Sequence, residues 1–412
     1  MMKKFQLFTI SALLCLTIHA QKSTFKQLQK IKGITVTVKQ NNDFNEYYVI
    51  TIEQPVDHFH NTGKVFKQRI YVGINNTSAP TVMETQGYTI QTATNLPFLK
   101  KYNSINIEHR YYGNSIPDSM EWEYLTVKQA ASDYHYIREL FKNIFTGTWM
   151  SMGISKGGQA AIAYKMYFPN DVAATLAYVT PIKNSINDVR LADYLHSIQS
   201  TECGAKIYAL QKYIFENKAT FLTAFNKRVV SDFDNETVFD YMLLEYPFSF
   251  FQNCFNCSSI RDTTSPPEQI LSDIIDIVPL RIYSASYKPR LMPSFYMFYH
   301  ELGYYEYDLT PLKKWLKNKE YPNNIFVPDN VTINFDTSYL HNINEFIASP
   351  EEHKIIFVYG GLDPYTALKA NSPHVFIAKN GCHKSRINDL SATQQKEVFA
   401  LLSNWLKYTV GY

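Results

Sequence analysis

The sequence predicts an α/β fold with a mostly parallel sheet and a large inserted helical cap. Strand-like and helix-like segments alternate from about residue 46 to residue 182, stop alternating at about residue 183, and resume at residue 354. A serine between two glycines lies where one strand gives way to a helix. Alternating strands and helices form a parallel sheet covered on both faces.

The first part of the core contains several segments with strand character. In some of them apolar and polar residues alternate, and others are rich in β-branched and aromatic residues. The predicted strands cover residues 46–54, 64–74, 79–88, 104–113, 148–153 and 172–181. Apolar residues at helical spacing predict helices over residues 127–145 and 156–168.

The second part of the core contains predicted strands at residues 354–358 and 374–378 and an amphipathic helix at residues 391–409. Ser391 and Gln394 have the spacing of a capping box at the start of that helix. Between the two parts, residues 183–353 are aromatic, rich in helical pattern and interrupted by prolines. The predicted organisation is therefore core 21–182, cap 183–353 and core 354–412.

Residues 1–20 have the features of a secretory signal peptide. Two lysines precede a short apolar run that ends in Ile18-His19-Ala20 before Gln21. The alternative, a membrane anchor, needs about 20 apolar residues. No later apolar run is long enough to span a bilayer, so we expect a secreted or periplasmic protein without a membrane span.

Composition excludes some partners. The net charge is only +3, which does not favour nucleic acid.

Export permits disulfides, and we expect one among Cys203, Cys254 and Cys257, with the pairing of these and Cys382 left open. The spacing of Cys254 and Cys257 also suits half of a zinc site, but no second pair completes it. We therefore expect no metal and no cofactor.

Ser155 has the sequence context of a nucleophile elbow. The pattern Gly153-Ile154-Ser155-Lys156-Gly157 stands between a predicted strand and a predicted helix. Such a turn holds the serine in a strained backbone conformation, and bulky neighbours would crowd it. The helix that follows directs its free N–H groups at the reaction site. The alternative is a glycine-rich packing turn with no catalytic role.

A serine hydroxyl needs a base, and the base needs an orienting carboxylate. In the α/β-hydrolase fold these follow the serine in the order Asp or Glu, then His. Asp363 and His383 each follow one of the last two predicted strands. Because the carboxyl ends of parallel strands meet at one edge of a sheet, we predict Asp363 as the orienter and His383 as the general base and acid. Their alternatives are an ordinary turn aspartate and a surface histidine.

An oxyanion hole requires two N–H donors. We predict the N–H of Lys156 as one donor, and that of Gly87 or Tyr88, after the strand that ends near Thr85, as the other. We expect the charged side chain of Lys156 to face solvent.

Five blocks of the sequence together resemble a known family. They are EQPVDHFHNTGKVFKQRIYV from Glu53, EHRYYGNSIP from Glu108, GISKGGQAA from Gly153, GGLDPYTA from Gly360 and NGCHKSRI from Asn380. In this order they are similar to the secreted bacterial prolyl tri/tetrapeptidyl aminopeptidases and, more distantly, to the prolylcarboxypeptidase and dipeptidyl peptidase II group. The resemblance implies an α/β-hydrolase core, a helical cap and a serine peptidase that releases short N-terminal peptides, often after proline. It maps the triad onto the same Ser155, Asp363 and His383.

An aminopeptidase must recognise a cationic α-amine, for which a partly buried carboxylate is suited. The candidates are Glu108, Glu301 and Glu306. Glu108 could instead pair with Arg110 or Arg138, and the other two could belong to a solvated face. Several cap aromatics could stack on a proline ring or simply form cap core: Tyr287, Phe295, Tyr296, Phe298 and Tyr299.

The sequence therefore predicts an exported serine aminopeptidase that acts on peptides with a free N-terminus. A carboxylesterase or lipase on the same scaffold is one alternative. A catalytically silent surface binding protein is the other, and the complete predicted triad argues against it.

Overall fold

The computed structural model describes residues 24–90, 96–229, 231–349 and 351–411. The predicted signal peptide, residues 1–20, lies outside these residues. The described strands are β1 (Ile34–Lys39), β2 (Glu46–Pro55), β3 (Val65–Ile74), β4 (Thr81–Thr85), β5 (Asn103–Ile107), β6 (Trp149–Ile154), β7 (Ala174–Tyr178), β8 (Ile355–Gly360) and β9 (Val375–Ala378).

The helices lie between and after these strands. They are α1 (Val127–Phe141), α2 (Lys156–Tyr167), α3 (Val189–Gln199), α4 (Glu202–Glu216), α5 (Lys218–Arg228), α6 (Asn235–Gln252), α7 (Pro267–Ile277), α8 (Lys288–Met297), α9 (Ser338–Ala348) and α10 (Ala392–Leu406). A π-helical turn at Phe298–Leu302 follows α8. Helices thus fill the region predicted as a cap, whereas its definition as an inserted domain remains a prediction.

The chain forms two compact units. Unit 1 contains residues 1–153, 160–176 and 396–412, and unit 2 contains residues 154–159 and 177–395. Strand β7 and helix α2 each have residues in both.

Unit 1 contains strands in the order β1-β2-β3-β5-β4-β6. The pairs β1–β2, β2–β3 and β3–β5 are antiparallel. The pairs β4–β5 and β4–β6 are parallel, with Thr81 opposite Asn103 on one side and Trp149 on the other. Strands β4 and β5 are buried along their whole length, as expected of strands covered on both faces.

Strand β1 was absent from the sequence-based assignment, which started at residue 46. Its residues are mostly exposed, because it pairs only with β2 at the edge of the sheet. The alternation of Ile34, Val36 and Val38 with threonine and lysine was the available signal.

The core of unit 1 is an apolar cluster between the strands and helix α1. It includes Ile50, Ile70, Ile105, Tyr134 and Phe141, all at most 1% exposed. Helix α1 begins where the Thr126 side chain accepts a hydrogen bond from the N–H of Gln129.

In unit 2, β8 pairs with β9 in parallel. All six residues of β8 are buried, which agrees with the apolar run that predicted this strand. The α/β class is therefore confirmed: the pairs β4–β5, β4–β6 and β8–β9 are parallel, and β6 leads through Ser155 into α2. Strand β9 ends at Ala378, so both of the last two strands lead into the loops that carry the predicted triad residues.

Candidate active site

Ser155 occupies the turn between β6 and α2. Its φ of 55° lies in the left-handed region, which is unusual for a residue with a side chain. The Ser155 N–H donates to the carbonyl of Tyr178 at 2.8 Å, and its own carbonyl accepts from the N–H of Gln159 at 3.0 Å. These two bonds hold the strained conformation, which the elbow pattern predicted.

Asp363 begins the 3₁₀ turn Pro364–Leu368 that follows β8. Its side chain is fully buried. One carboxylate oxygen, Oδ1, accepts a hydrogen bond from the N–H of Tyr365 at 3.1 Å. The other, Oδ2, lies 2.7 Å from Nδ1 of His383. Both oxygens therefore have defined partners that orient the carboxylate.

His383 is positioned by one hydrogen bond from its backbone and one from its ring. Its N–H donates to the carbonyl of Gln252, the last residue of α6, at 3.1 Å. Because Nδ1 donates to the buried Asp363 carboxylate, Nε2 is the nitrogen able to accept a proton. The side chain is 18% exposed, so the ring is partly open to solvent.

Glycines allow the two loops to approach each other. A Cβ atom on Gly360 would lie 2.3 Å from the backbone oxygen of Cys382, and one on Gly361 would lie 2.4 Å from that of Lys379. The N–H of Leu362 donates to the carbonyl of Gly381 at 2.8 Å. The Asp363 loop thus packs its backbone directly against the His383 loop, which places the two side chains in contact.

An aromatic surface adjoins His383. The ring of Tyr365 lies 5.4 Å from the imidazole, and Phe248 of α6 lies 5.1 Å from Tyr365. Phe248 stacks on Tyr305 at 4.7 Å. Of the cap aromatics predicted either to stack on a proline ring or to form cap core, Phe295, Tyr296 and Phe298 are buried. The aromatic residues beside His383 come instead from helix α6 and from the GGLDPYTA block.

Lys156 is buried, and the prediction that its side chain faces solvent is wrong. The residue is the first of α2 and is 3% exposed. Burial lowers the pKa of Lys156 to about 7, and the Glu301 carboxylate opposes this shift. The sequence pattern gave no sign of this burial, because charged residues are rarely inside.

Gly87 and Tyr88, the predicted second source of an oxyanion donor, follow β4 in unit 1, whereas Lys156 lies in unit 2. The carbonyl of Tyr88 accepts from the N–H of His109 at 3.3 Å. The assignment of the oxyanion donors stays a prediction.

Glu108 is fully buried in unit 1, and its carboxylate has four donors. They are the side chains of Arg69 and Ser115 and the N–H groups of Ile90 and Asn114. The ion pair expected with Arg110 or Arg138 is not the one observed. Arg110 instead makes a bidentate pair with Asp133, at 2.7 and 2.8 Å. Glu108 therefore organises its own loop, and we do not retain it as a candidate for binding an amine.

Glu301 and Glu306, the two candidate glutamates of the predicted cap, differ in exposure. Glu301, in the π-helical turn, is 6% exposed, so its assignment to a solvated face is wrong. Glu306 is exposed and accepts from the side chain of Asn187 at 2.6 Å. Of the three candidate carboxylates, only Glu301 is both buried and part of the unit that contains Ser155, Asp363 and His383.

The disulfide links Cys254 to Cys382, and the expectation of a bridge among Cys203, Cys254 and Cys257 is wrong. Cys254 follows α6, and Cys382 precedes His383. The bridge therefore anchors the His383 loop to the same chain segment that supplies the Gln252 carbonyl.

Among the residues that the structure describes, no helix has both the length and the apolar character required to cross a membrane.

The strand–turn–helix at Ser155, followed by an aspartate after β8 and a histidine after β9, defines the α/β-hydrolase class. The sequence profile of the PS-10 peptidase S37 family matches residues 22–407, so this chain belongs to that family. The predicted enzyme class, a serine-type peptidase, is thereby confirmed.

Relatives extend the comparison. The chain is 26% identical over 420 residues to the prolyl tri/tetrapeptidyl aminopeptidase of Streptomyces mobaraensis, covering 94% of this chain and 86% of that protein. It is 29% identical over 191 residues to the lysosomal Pro-X carboxypeptidase of Bos taurus, covering 41% of this chain and 37% of that protein. Among solved structures, acetyl xylan esterase 1 from Thermoanaerobacterium sp. JW/SL YS485 matches with a TM-score of 0.37 and 8% identity, over 94% of this chain and 93% of that chain.

Proposed function

We propose that this protein is a serine aminopeptidase that releases short N-terminal peptides through Ser155, His383 and Asp363. The observation that supports it best is the 2.7 Å contact between His383 and the buried Asp363, in the same unit as the strained Ser155. The similarity to a prolyl tri/tetrapeptidyl aminopeptidase supports release of tripeptides and tetrapeptides, with cleavage after proline.

In the proposed reaction, the Oγ atom of Ser155 attacks the scissile carbonyl carbon while Nε2 of His383 accepts its proton. Asp363 stabilises the imidazolium that forms. The N–H of Lys156, at the start of α2, donates to the developing oxyanion. His383 then protonates the leaving amine as the C–N bond breaks. A water molecule, deprotonated by His383, hydrolyses the acyl-enzyme and releases the N-terminal peptide as an acid.

Glu301 is the residue we propose for recognition of the substrate α-ammonium group. It is buried, and its charge acts on Lys156, the neighbour of Ser155. Burial holds the pKa of Lys156 near 7, so at neutral pH part of the population has an uncharged lysine beside Glu301. The carboxylate of Glu301, which also lies 3.9 Å from Nδ1 of His300, supplies a buried negative charge for a substrate cation.

Active-site labelling tests the nucleophile. We expect a fluorophosphonate probe to label the wild type and the control Ser286→Ala, which changes an exposed serine of unit 2, but not Ser155→Ala. Wild-type protein that takes no label would favour a catalytically silent binding protein.

A substrate panel tests the activity. We expect hydrolysis of peptide amides with free N-termini, little hydrolysis of their acetylated counterparts, and release of di- to tetrapeptides detected by mass spectrometry. Turnover of simple acyl esters without any peptide cleavage would instead identify a carboxylesterase or lipase.

Export is a further part of the proposal and rests on the sequence of residues 1–20 alone. N-terminal sequencing of the protein from its native host should find a start near residue 21. A mature chain that retains Met1 would contradict this.

A further inference from the structure

Unit 2 contains a mostly apolar cavity that the proposed reaction does not use. Helices α3, α4 and α6 and residues 305–312 form its walls. Its volume is about 70 Å³, several times the roughly 10–15 Å³ that one water molecule requires. Six apolar side chains of its lining are Leu195, Ile198, Ile207, Leu244, Phe251 and Leu312. A cavity of this size and lining suits a single apolar side chain rather than a whole small molecule.

The cavity shares a wall with the aromatic surface beside His383. Phe248 and Tyr305 line the cavity and stack on each other, with ring centroids 4.7 Å apart. Both rings also contact Tyr365, at 5.1 and 6.5 Å. Tyr365 in turn lies 5.4 Å from the imidazole of His383. A chain of ring contacts therefore connects the cavity to the proposed general base.

Hydrogen bonds to Glu245 hold this aromatic wall in place. The Glu245 carboxylate accepts from the hydroxyl groups of Tyr305 and Tyr307, both at 2.9 Å. It also accepts from the hydroxyl of Ser249, one turn further along α6, at 2.9 Å. Tyr307 lines the cavity together with Tyr305. Because these rings are fixed before a substrate arrives, a side chain that enters the cavity does not have to order its walls.

The distance from His383 to the cavity corresponds to the length of the released peptide. The two ring contacts in series, 5.4 Å from His383 to Tyr365 and 5.1 Å from Tyr365 to Phe248, match about three residues of extended chain at roughly 3.3–3.6 Å each. In the proposed reaction only the part before the scissile bond has a fixed length. A pocket at this distance can therefore select the residue with which that part begins.

We propose that this cavity is a substrate subsite that binds an apolar side chain at the N-terminal residue of the released tripeptide or tetrapeptide. The inference rests on the proposed aminopeptidase function and adds the class of side chain that the enzyme prefers at that position. An aliphatic side chain gains free energy as its surface leaves water. A charged side chain loses its hydration to walls that are mainly apolar.

A series of tripeptide 4-nitroanilides tests the subsite. The substrates have the sequence Xaa-Ala-Pro and a free N-terminus, with alanine, leucine, phenylalanine or aspartate as Xaa. For the wild type we expect kcat/KM to be about tenfold higher for the leucine substrate than for the alanine substrate, the usual size of selection by an apolar pocket. The aspartate substrate should be cleaved less efficiently than the alanine substrate.

Variants that fill or enlarge the cavity decide whether it is responsible. Ala192 is a half-buried residue of α3 that lines the cavity. Ala192→Phe should therefore bring the ratio of leucine to alanine substrates close to one, without loss of activity on the alanine substrate. Ala209→Phe is the matched control, since Ala209 is exposed on α4, and it should keep the wild-type ratio. Leu195→Ala enlarges the cavity and should favour the phenylalanine substrate over the leucine substrate.

The outcomes separate this subsite from the proposed function. An unchanged ratio in both Ala192→Phe and Leu195→Ala, with both proteins folded and labelled by the fluorophosphonate probe, would overturn the subsite and leave the function standing. In peptides of the form Ala-Ala-Pro-Xaa, the variants should leave the preference for Xaa unchanged. A change there would place the cavity on the other side of the scissile bond and overturn the assignment. Absence of peptide cleavage by labelled wild-type protein would overturn the function and the subsite together.

Discussion

The Nδ1 atom of His383 lies 2.7 Å from the Oδ2 atom of Asp363, and the carboxylate is fully buried whereas the imidazole is 18% exposed. This difference suits their proposed roles. A charge held away from water orients the ring and stabilises its protonated form, and the outer edge of the ring remains accessible. The relationship depends on backbone packing, since Gly360 and Gly361 lie against the loop that carries His383.

Replacement of the orienting carboxylate tests this relationship directly. We expect Asp363→Asn to lower kcat about 10⁴-fold, the effect of the same change in other triads, because an amide cannot hold the ring in the same tautomer. Asp262→Asn is the control, since Asp262 is exposed and accepts hydrogen bonds from the N–H and the side chain of Thr264 in its own turn. A fully active Asp363→Asn protein would remove Asp363 from the mechanism.

The Cys254–Cys382 disulfide should stabilise the protein and the position of His383. In a Cys203→Ser/Cys257→Ser background, which prevents thiol exchange, further replacement of Cys254 and Cys382 by serine should lower the free energy of unfolding by about 2–5 kcal/mol. We also expect kcat to fall, because the His383 loop loses its covalent anchor. Urea unfolding and steady-state kinetics on the two variants measure both effects. Unchanged kcat would show that the backbone contacts alone position His383.

Gly360 should be intolerant of any side chain. A Cβ atom would meet the backbone oxygen of Cys382 at 2.3 Å, so Gly360→Ala should destabilise the protein by about 1–3 kcal/mol and reduce activity. Gly63→Ala is the comparison, since it has a φ of 70° but open space at Cβ, and it should lose about 1 kcal/mol without loss of activity. Equal effects on activity would mean that the contact with Cys382 does not position His383.

Stability should rise with pH above neutrality because of buried lysine. Burial lowers the pKa of Lys183 to about 7, with Asp188 opposing the shift, whereas an unfolded lysine keeps its ordinary value of about 10.4. Between these values the unfolded state binds more protons, so the free energy of unfolding rises by up to about 1.4 kcal/mol per pH unit for this group. Lys156 contributes in the same direction.

Chemical denaturation from pH 7 to pH 9 measures this slope. We expect Lys183→Met to reduce it, whereas the exposed control Lys227→Met should leave it unchanged. The substitution also leaves the Gly303 carbonyl, which accepts from Lys183 at 2.6 Å, without that donor. The slope, rather than the absolute stability, is therefore the decisive quantity. An unaltered slope would show that Lys183 remains charged in the folded protein.

Glu301 should determine the preference for free N-termini. We expect Glu301→Gln to lower kcat/KM for free-amine peptides roughly 10²-fold, since loss of one partner of a buried charge pair has effects of this size. Hydrolysis of acetylated peptides should not change. Glu306→Gln, at an exposed carboxylate, should behave as wild type. A similar loss on both kinds of peptide would indicate that Glu301 acts through Lys156 and the nucleophile instead.

The sequence by itself determined the local features of this protein. Alternation and apolar runs located the core strands other than β1, and the glycines around Ser155 predicted a turn that the structure shows at a φ of 55°. The order of Ser155, Asp363 and His383 along the chain was readable because each follows a strand. These are properties of short segments, governed by backbone sterics and side-chain periodicity.

Only the tertiary structure decided which distant residues meet. Cys254 bonds to Cys382, 128 residues away. Lys156 is buried and its pKa is influenced by Glu301, and Tyr365 lies between His383 and Phe248. No local pattern encodes such partners, because a buried charge or a disulfide depends on how separate segments pack. The chemistry of the candidate site could therefore be predicted from the sequence, but its surroundings could not.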